Sequence, residues 1–161
     1  MKKKGQWRGY IKFIADAMLG KLAAWMRIIG CDVLYFKKIS GDELIEQALQ
    51  EGRIILTRDT LLIKRRKAKN HFFIHDDHYE KQLKQVVEHF KIDPFKNIFT
   101  RCLLCNTPLE DIEKEFVQGK VPSYVYETQQ NFKICPSCNK IYWQATHKGC
   151  VVRQLTAIFS N

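Results

Sequence analysis

No stretch of this 161-residue sequence is both long and apolar enough to cross a bilayer. The longest apolar runs, such as Arg53-Ile54-Ile55-Leu56-Thr57, are strand-sized, far short of the ~20 residues a membrane helix needs. No secretory leader is expected either. Met1-Lys2-Lys3-Lys4 is basic, but Gly5-Gln6-Trp7-Arg8 interrupts it before an apolar region can form. The expected location is therefore cytoplasmic, with no membrane partner. Internal repeats are absent, and the one biased stretch is Lys64-Arg65-Arg66-Lys67-Ala68-Lys69. Acid is scarce relative to base: 17 Asp/Glu stand against 27 Lys/Arg, a net charge of +10. Residues 1–100 hold 20 Lys/Arg and 12 Asp/Glu (net +8), and residues 101–161 hold 7 and 5 (net +2). Such an excess attracts polyanions and supplies counterion-release affinity for nucleic acid. On charge alone, a merely soluble basic protein is an equal alternative. An apolar fraction of 45% with 12% aromatic residues argues against disorder.

What is present reads as an α/β domain with an appendage. Residues 10–15 form an expected buried strand, and from Leu19 the apolar spacing turns helical until Gly30. Residues 32–36 read as a second strand. Ser40-Gly41-Asp42-Glu43 opens a helix that ends at Gly52. Residues 53–57 read as a third strand, followed by a short helix from Thr60. A fourth strand is expected at 71–75 and an amphipathic helix at 79–91. Strand–helix repeats of this spacing predict a parallel sheet flanked by helices. Ile92-Asp93-Pro94-Phe95 breaks the rhythm, which divides the chain into residues 8–95 and 96–161.

Six cysteines in a cytosolic chain favour metal binding over disulfides. Cys102-x2-Cys105 and Cys135-x2-Cys138 are two knuckles separated by 29 residues. A two-residue gap lets both thiolates of a knuckle face one ion, and two knuckles close a tetrahedral site. The expectation is one structural Zn²⁺ in a zinc-ribbon module, since an appendage of about 50 residues needs a disulfide or metal staple. Cys31 and Cys150 read as ordinary buried or half-buried thiols.

In a parallel sheet, function collects at the carboxyl ends of the strands. Asp16 ends the first expected strand, Asp59 follows the third, and Asp42 begins the helix between the second and third. Three converging acids repel one another unless divalent cations neutralise them. Mg²⁺- or Mn²⁺-dependent nucleases use that arrangement. The alternative for Asp42 and Asp59 is helix capping.

Specific motifs carry a resemblance. Phe13-Ile-Ala-Asp16-Ala-Met-Leu-Gly20-Lys-Leu-Ala23, Trp25-Met-Arg27 and Gly30-Cys-Asp32 resemble the opening of the Mut-seven C-terminal RNase family, a branch of the PIN-like nucleases. Gly52-Arg53-Ile-Ile-Leu-Thr57-Arg58-Asp59 resembles its second block. Cys102-Leu-Leu-Cys105, Cys135-Pro-Ser-Cys138 and Tyr142-Trp143-x-x-Thr-His147 resemble its third. Ala24, Ala145 and Lys148 depart from the family pattern. The resemblance implies a PIN-like α/β sheet joined to a zinc ribbon, with Mg²⁺ or Mn²⁺ acting on RNA. It assigns Asp16, Asp42 and Asp59 as ligands of that catalytic metal. A fourth acid would follow the fourth strand, where Asp76 and Asp77 are candidates and Asp77 is preferred.

Candidate RNA contacts are Lys21, Arg27 and Arg58, the basic residues Lys64, Arg65 and Arg66, and the pair Trp143 and His147 as a stacking surface. Packing and solvated charge are the alternatives at each. His71, His75, His78 and His89 complete no ligand set and receive no role. The expected function is a metal-dependent ribonuclease, endonucleolytic in mode. Its alternatives are a non-catalytic RNA-binding adaptor, and the toxin of a toxin–antitoxin pair. A ribosomal or antitoxin partner would accompany those alternatives.

Overall fold

The computed structural model describes residues 10–144 and 147–160, so the expected domain start at residue 8 and the side chain of His147 lie outside the described residues. Four short strands form a parallel sheet: β1 (Lys12–Ala15), β2 (Asp32–Tyr35), β3 (Ile54–Thr57) and β4 (His71–Phe73). Their order is β2-β1-β3-β4. Residues 13–15 of β1 and all of β3 are buried, as a sheet covered on both faces requires. Side chains alternate faces along a strand. Accordingly, Phe13 and Ala15 enter one apolar cluster and Ile14 enters another. The helices α1 (Gly20–Ile28) and α3 (Tyr79–Phe90) bury Leu22, Met26, Leu83 and Val86 on the first face. On the second face, α2 (Gly41–Glu51) buries Leu44, Ile45 and Ala48. The chain crosses from β1 to β2 on one side, then returns to β3 on the other side of β1. Strand order therefore reverses between β1 and β3, and the crevice at their carboxyl ends is where such sheets place ligands.

Three elements differ in detail from the sequence pattern. A 3-10 turn over Ala17–Leu19 precedes α1, because the chain must change direction directly after β1. The helix expected from Thr60 is a single 3-10 turn, Leu62–Lys64. Beyond Leu62 the basic run offers only Ala68 to the apolar cluster, too little to hold a longer helix. The fourth strand stops at Phe73, although the Ile74 amide still donates to Thr57 O at 2.9 Å. By contrast, α2 begins as its sequence predicts, with a full capping box between Ser40 and Glu43.

The C-terminal part holds an antiparallel sheet in the order β5-β6-β7, comprising β5 (Glu110–Ile112), β6 (Phe132–Ile134) and β7 (Ile141–Trp143). A small cluster of Val117, Val125 and Phe132 lies beneath it, with α4 (Ser123–Thr128) contributing Val125. The last helix, α5 (His147–Phe159), packs on α3 and buries Leu155 in the first cluster of the parallel sheet. The span 96–161 thus contributes to both cores.

A buried polar junction ties the first cysteine knuckle to β2. The carboxylate of Asp32 accepts from Arg53 Nη1 and from Asn106 Nδ2, both at 2.7 Å. Asn106 Oδ1 accepts the Val33 amide at 2.9 Å, and Asn106 O accepts from Arg101 Nη1 at 2.7 Å. Arg27 on α1 donates through Nε to Val33 O at 3.0 Å and through Nη1 to Leu103 O at 3.0 Å and Leu104 O at 3.2 Å. Every polar side-chain atom buried among the described residues has a partner, so this charge cluster avoids the desolvation cost of an unpaired ion.

Candidate active site and thiolate centre

Thr57 closes β3 with its side chain fully buried, and it joins two of the candidate acids. Its Oγ1 donates to Asp16 Oδ2 at 2.8 Å and accepts the Asp59 amide at 2.9 Å. The Asp16 amide in turn donates to Leu56 O at 2.9 Å. Asp16 and Asp59 are thereby fixed at the ends of β1 and β3, on either side of the point where strand order reverses.

Helix capping accounts for only one of the three acids. Asp59 Oδ1 accepts the amides of Leu61 at 2.8 Å and Leu62 at 3.1 Å, which caps the following turn. Asp42 is not the cap of α2, because Ser40 is. Asp16 precedes a 3-10 turn but makes no side-chain capping bond. Asp42 instead pairs with Arg65 Nη1 at 2.6 Å, its side chain 90% exposed. Gly41 makes room for that guanidinium, since a Cβ there would lie 3.1 Å from Arg65 Nη1. On each of the three acids, one carboxylate oxygen has no hydrogen-bond partner among the described residues. Free carboxylate oxygens are the donor type that hard divalent cations take. The candidate oxygens of Asp16, Asp42 and Asp59 do not all lie within 4.8 Å of one another. Two ions about 4 Å apart, each about 2.1 Å from its ligands, span a wider set of carboxylates than that.

Asp76, Asp77 and His78 do form such a close group, at the start of α3 beyond the end of β4. Asp76 accepts the His78 amide at 2.9 Å and faces Lys81 Nζ at 3.4 Å. The bond from the His78 backbone, followed by the Lys81 contact, pulls the Asp76 carboxyl down to about 2 despite some desolvation. Among the described residues, the one polar partner of the Asp77 carboxylate is His78 Nδ1, at 2.9 Å, and its side chain is 70% exposed. His78, to which the sequence assigned no role, is therefore a neighbour of the candidate fourth acid. The signal was three consecutive ligand types, Asp76-Asp77-His78, directly before an amphipathic helix.

The four paired cysteines converge. Cys102 Sγ lies 3.6 Å from Cys138 Sγ, and Cys105 Sγ lies 3.3 Å from Cys135 Sγ. Four thiolates about 2.3 Å from a shared ion would stand about 3.8 Å apart, so the spacing fits a tetrahedral metal site. The two knuckles share one backbone design. Asn106 and Asn139 follow them with φ of 68° and 61°, and donate to Cys102 O at 3.0 Å and Cys135 O at 2.9 Å. Asparagine tolerates that left-handed conformation better than other side-chain-bearing residues. Burial by itself would raise the Cys102 thiol. Hydrogen bonds from Tyr142 and from the amides of Cys105 and Leu104 outweigh it and bring Cys102 to about 6.

Residues 11–155 match the model of the Mut7-C RNAse domain. The chain belongs to that family. No curated protein is significantly similar to it. The family covers both the parallel sheet and the cysteine cluster, so the acid edge and the thiolate centre lie within one Mut7-C RNase domain match.

Within this Mut7-C fold, the candidate RNA contacts separate by exposure. Lys21, Lys64, Arg65 and Arg66 are exposed, and Arg58 is partly exposed beside Asp59. Lys21 Nζ sits 5.3 Å over the Tyr79 ring, which also stacks on Trp25. Arg27 is different. It is 7% exposed, with its guanidinium held by three carbonyls of the polar junction, so it is a clamp rather than an exposed cation. The helix pattern offered a warning, because Arg27 directly follows Met26 on the buried stripe of α1. Trp143 is partly buried against the Val117 cluster. Among the described residues, no helix is long and apolar enough to cross a membrane.

Proposed function

We propose that this Mut7-C protein is a Mg²⁺- or Mn²⁺-dependent endoribonuclease that hydrolyses RNA phosphodiesters at the carboxyl edge of the parallel sheet. The observation that carries this reading is the Asp16–Thr57–Asp59 bridge at the reversal of strand order, with one oxygen on each acid unpartnered among the described residues. Asp16, Asp42 and Asp59 would hold the divalent cation, with Asp77 as the fourth acid. When bound, such an ion supplies positive charge to the scissile phosphate and a water acidified toward hydroxide. Thr57 keeps Asp16 oriented. Arg58, Lys21 and the Lys64-Arg65-Arg66 run position the phosphate backbone by charge. Zn²⁺ in the four-cysteine centre would hold the C-terminal module folded and leave no open position for chemistry. The cytoplasm is the proposed location.

A second reading is a non-catalytic RNA-binding adaptor. Its support is the Arg65–Asp42 pair, which places a cation on one candidate ligand. That pair is exposed, and such pairs contribute only about 0–1 kcal/mol, so a divalent ion can displace it. A cleavage assay on single-stranded and structured RNA, with Mg²⁺, Mn²⁺ or EDTA, decides between the two. Metal-dependent cleavage lost in Asp59→Asn supports the nuclease. Tight RNA binding with no cleavage under either ion leaves the adaptor.

A further inference from the structure

A cavity of about 270 Å³ lies beside the thiolate centre, and Asp16, Asp42, Asp59 and Asp77 are not among its lining residues. Its walls include Phe99 and Leu103 from the segment after α3, and Phe132, Tyr142 and Trp143 from the antiparallel sheet. The exposed residues Asn131, Gln144 and Lys148 also line it. We infer that this cavity binds one unpaired nucleobase of a single-stranded RNA, holding the strand against the C-terminal sheet. This rests on the RNA reading above and extends it to a subsite.

Size, surface and charge all favour that occupant. The volume falls just under the roughly 300–1,000 Å³ of pockets for drug-sized ligands, which suits a single ring system. Aromatic and apolar walls with a few polar groups at the rim are the usual surroundings of a splayed-out RNA base. Trp25 already stacks on Tyr79, whereas Trp143 has no ring partner among the described residues. Asn131 and Gln144 are exposed and have no hydrogen-bond partner among the described residues. Each amide supplies both a donor and an acceptor for a base edge. Lys148 adds a cation for the flanking phosphate. The one acid in the lining, Asp111, is already met by Lys133 Nζ at 3.0 Å. The cross-strand register places Asp111, Lys133 and Tyr142 in one row.

The wall is tied to the knuckle. The Tyr142 hydroxyl oxygen accepts the Leu103 amide at 3.1 Å and lies 3.1 Å from Cys102 Sγ. Leu103 O in turn receives Arg27 Nη1 at 3.0 Å, so the subsite is fixed to α1 of the parallel sheet. A base held there would set the register of the strand relative to that sheet.

The test uses the full-length, metal-loaded protein and an eight-nucleotide fluorescent single-stranded RNA, without added Mg²⁺ or Mn²⁺. Each nucleotide is replaced in turn by an abasic one, and affinity is read by anisotropy. One position should lose roughly ten-fold in affinity, within what one base–aromatic stack contributes. Trp143→Leu keeps apolar bulk but removes the stacking face, and it should bind the intact and abasic strands alike. If Trp143→Leu does not melt as a folded protein, the exposed Gln144→Ala variant takes its place and should shrink the same difference. No RNA binding, equal tolerance of base loss at every position, or a difference unchanged in the folded variants would overturn the subsite. Binding at one base with no cleavage under Mg²⁺ or Mn²⁺ would overturn the nuclease reading and leave the subsite standing. Cleavage with uniform tolerance of base loss would do the opposite.

Discussion

Thr57 donates its hydroxyl to Asp16 Oδ2 at 2.8 Å and receives the Asp59 amide on the same oxygen at 2.9 Å. One buried side chain thus positions two candidate ligands from different strands. Thr57→Val keeps the shape and removes both bonds. Stability should fall by about 1–3 kcal/mol, since a buried amide and a carboxylate oxygen lose their partner. Thr57→Ser should restore most of that loss and the orientation of Asp16. Chemical denaturation of the three proteins, read beside cleavage rates, checks this. A Thr57→Val protein as stable and active as the parent would remove Thr57 from the site.

The acids themselves separate a metal site from a structural one. Asp16→Asn and Asp59→Asn preserve shape and most hydrogen bonding but remove the charge that balances a cation. Cleavage should fall by about 10²-fold or more, the scale of losing one preorganised charge at a reacting centre. RNA affinity should hold or rise, because a negative charge has left the phosphate path. Stability should not drop, because Asn can keep the hydrogen bonds that Asp16 makes with Thr57 and that Asp59 makes with the turn amides. Cleavage that survives in Asp59→Asn would reduce that residue to the turn cap its Oδ1 already forms.

Arg65 sits between two roles, holding Asp42 at 2.6 Å within the basic run. In Arg65→Ala, Asp42 is released, and the divalent concentration for half-maximal cleavage should decrease. RNA affinity should weaken at the same time, and stability should change by no more than about 0.5 kcal/mol. Reversing charge at Lys64, Arg65 and Arg66 together should lower affinity and flatten the dependence of binding on salt. An unchanged salt slope would make the run a solvated surface only.

The parallel sheet was legible because Phe13-Ile14-Ala15 and Ile54-Ile55-Leu56 are short apolar runs with an acid, Asp16 or Asp59, within three residues of their ends. The thiolate centre was legible because its spacing is geometric. Three features were not. Arg27 follows Met26 on a buried face, but nothing local in the sequence reveals that the distant carbonyls of Leu103 and Leu104 await it beside that of Val33. The return of α5 to the parallel sheet depends on Leu155 meeting a core built more than sixty residues earlier. Cys150 also differs from its reading as a buried or half-buried thiol, being exposed on that helix. Long-range partners decide these cases, and local periodicity carries no trace of them.

Cys31 and Cys150 should differ sharply in reactivity. Desolvation, and then the neighbouring Asp32 charge, push the Cys31 thiol from 9.0 up to about 12. A raised folded pKa stabilises the protein fully below the unfolded value, and that contribution is lost as pH rises from 9 toward 12. Native protein at pH 8 should alkylate at Cys150 and leave Cys31 untouched. Thermal midpoints of the parent should decline more steeply above pH 9 than those of Cys31→Ala. Parallel declines, or rapid labelling of Cys31 by mass spectrometry, would show that its partial burial against the first cluster is not maintained in solution.

Asn106 should be the residue through which loss of the metal reaches the parallel sheet. It follows the first knuckle at φ 68°, and its amide group bonds both Asp32 Oδ1 and the Val33 amide. If Zn²⁺ occupies the four thiolates, removing it frees the knuckle, and Asp32 then keeps Arg53 but loses Asn106. Chelation should therefore lower the melting temperature of the whole chain, not of the C-terminal module alone. Cys135→Ser should act in the same direction. Asn106→Ala removes two buried bonds and also strains the left-handed backbone, so it should cost about 2–4 kcal/mol with the metal still bound. Metal content by elemental analysis separates the two effects: about one zinc per chain in Asn106→Ala, and little in Cys135→Ser. Hydrogen exchange at Val33, whose amide is capped by Asn106 Oδ1, should accelerate in both. Unchanged exchange at Val33 after chelation would mean that the two sheets fold independently of the metal.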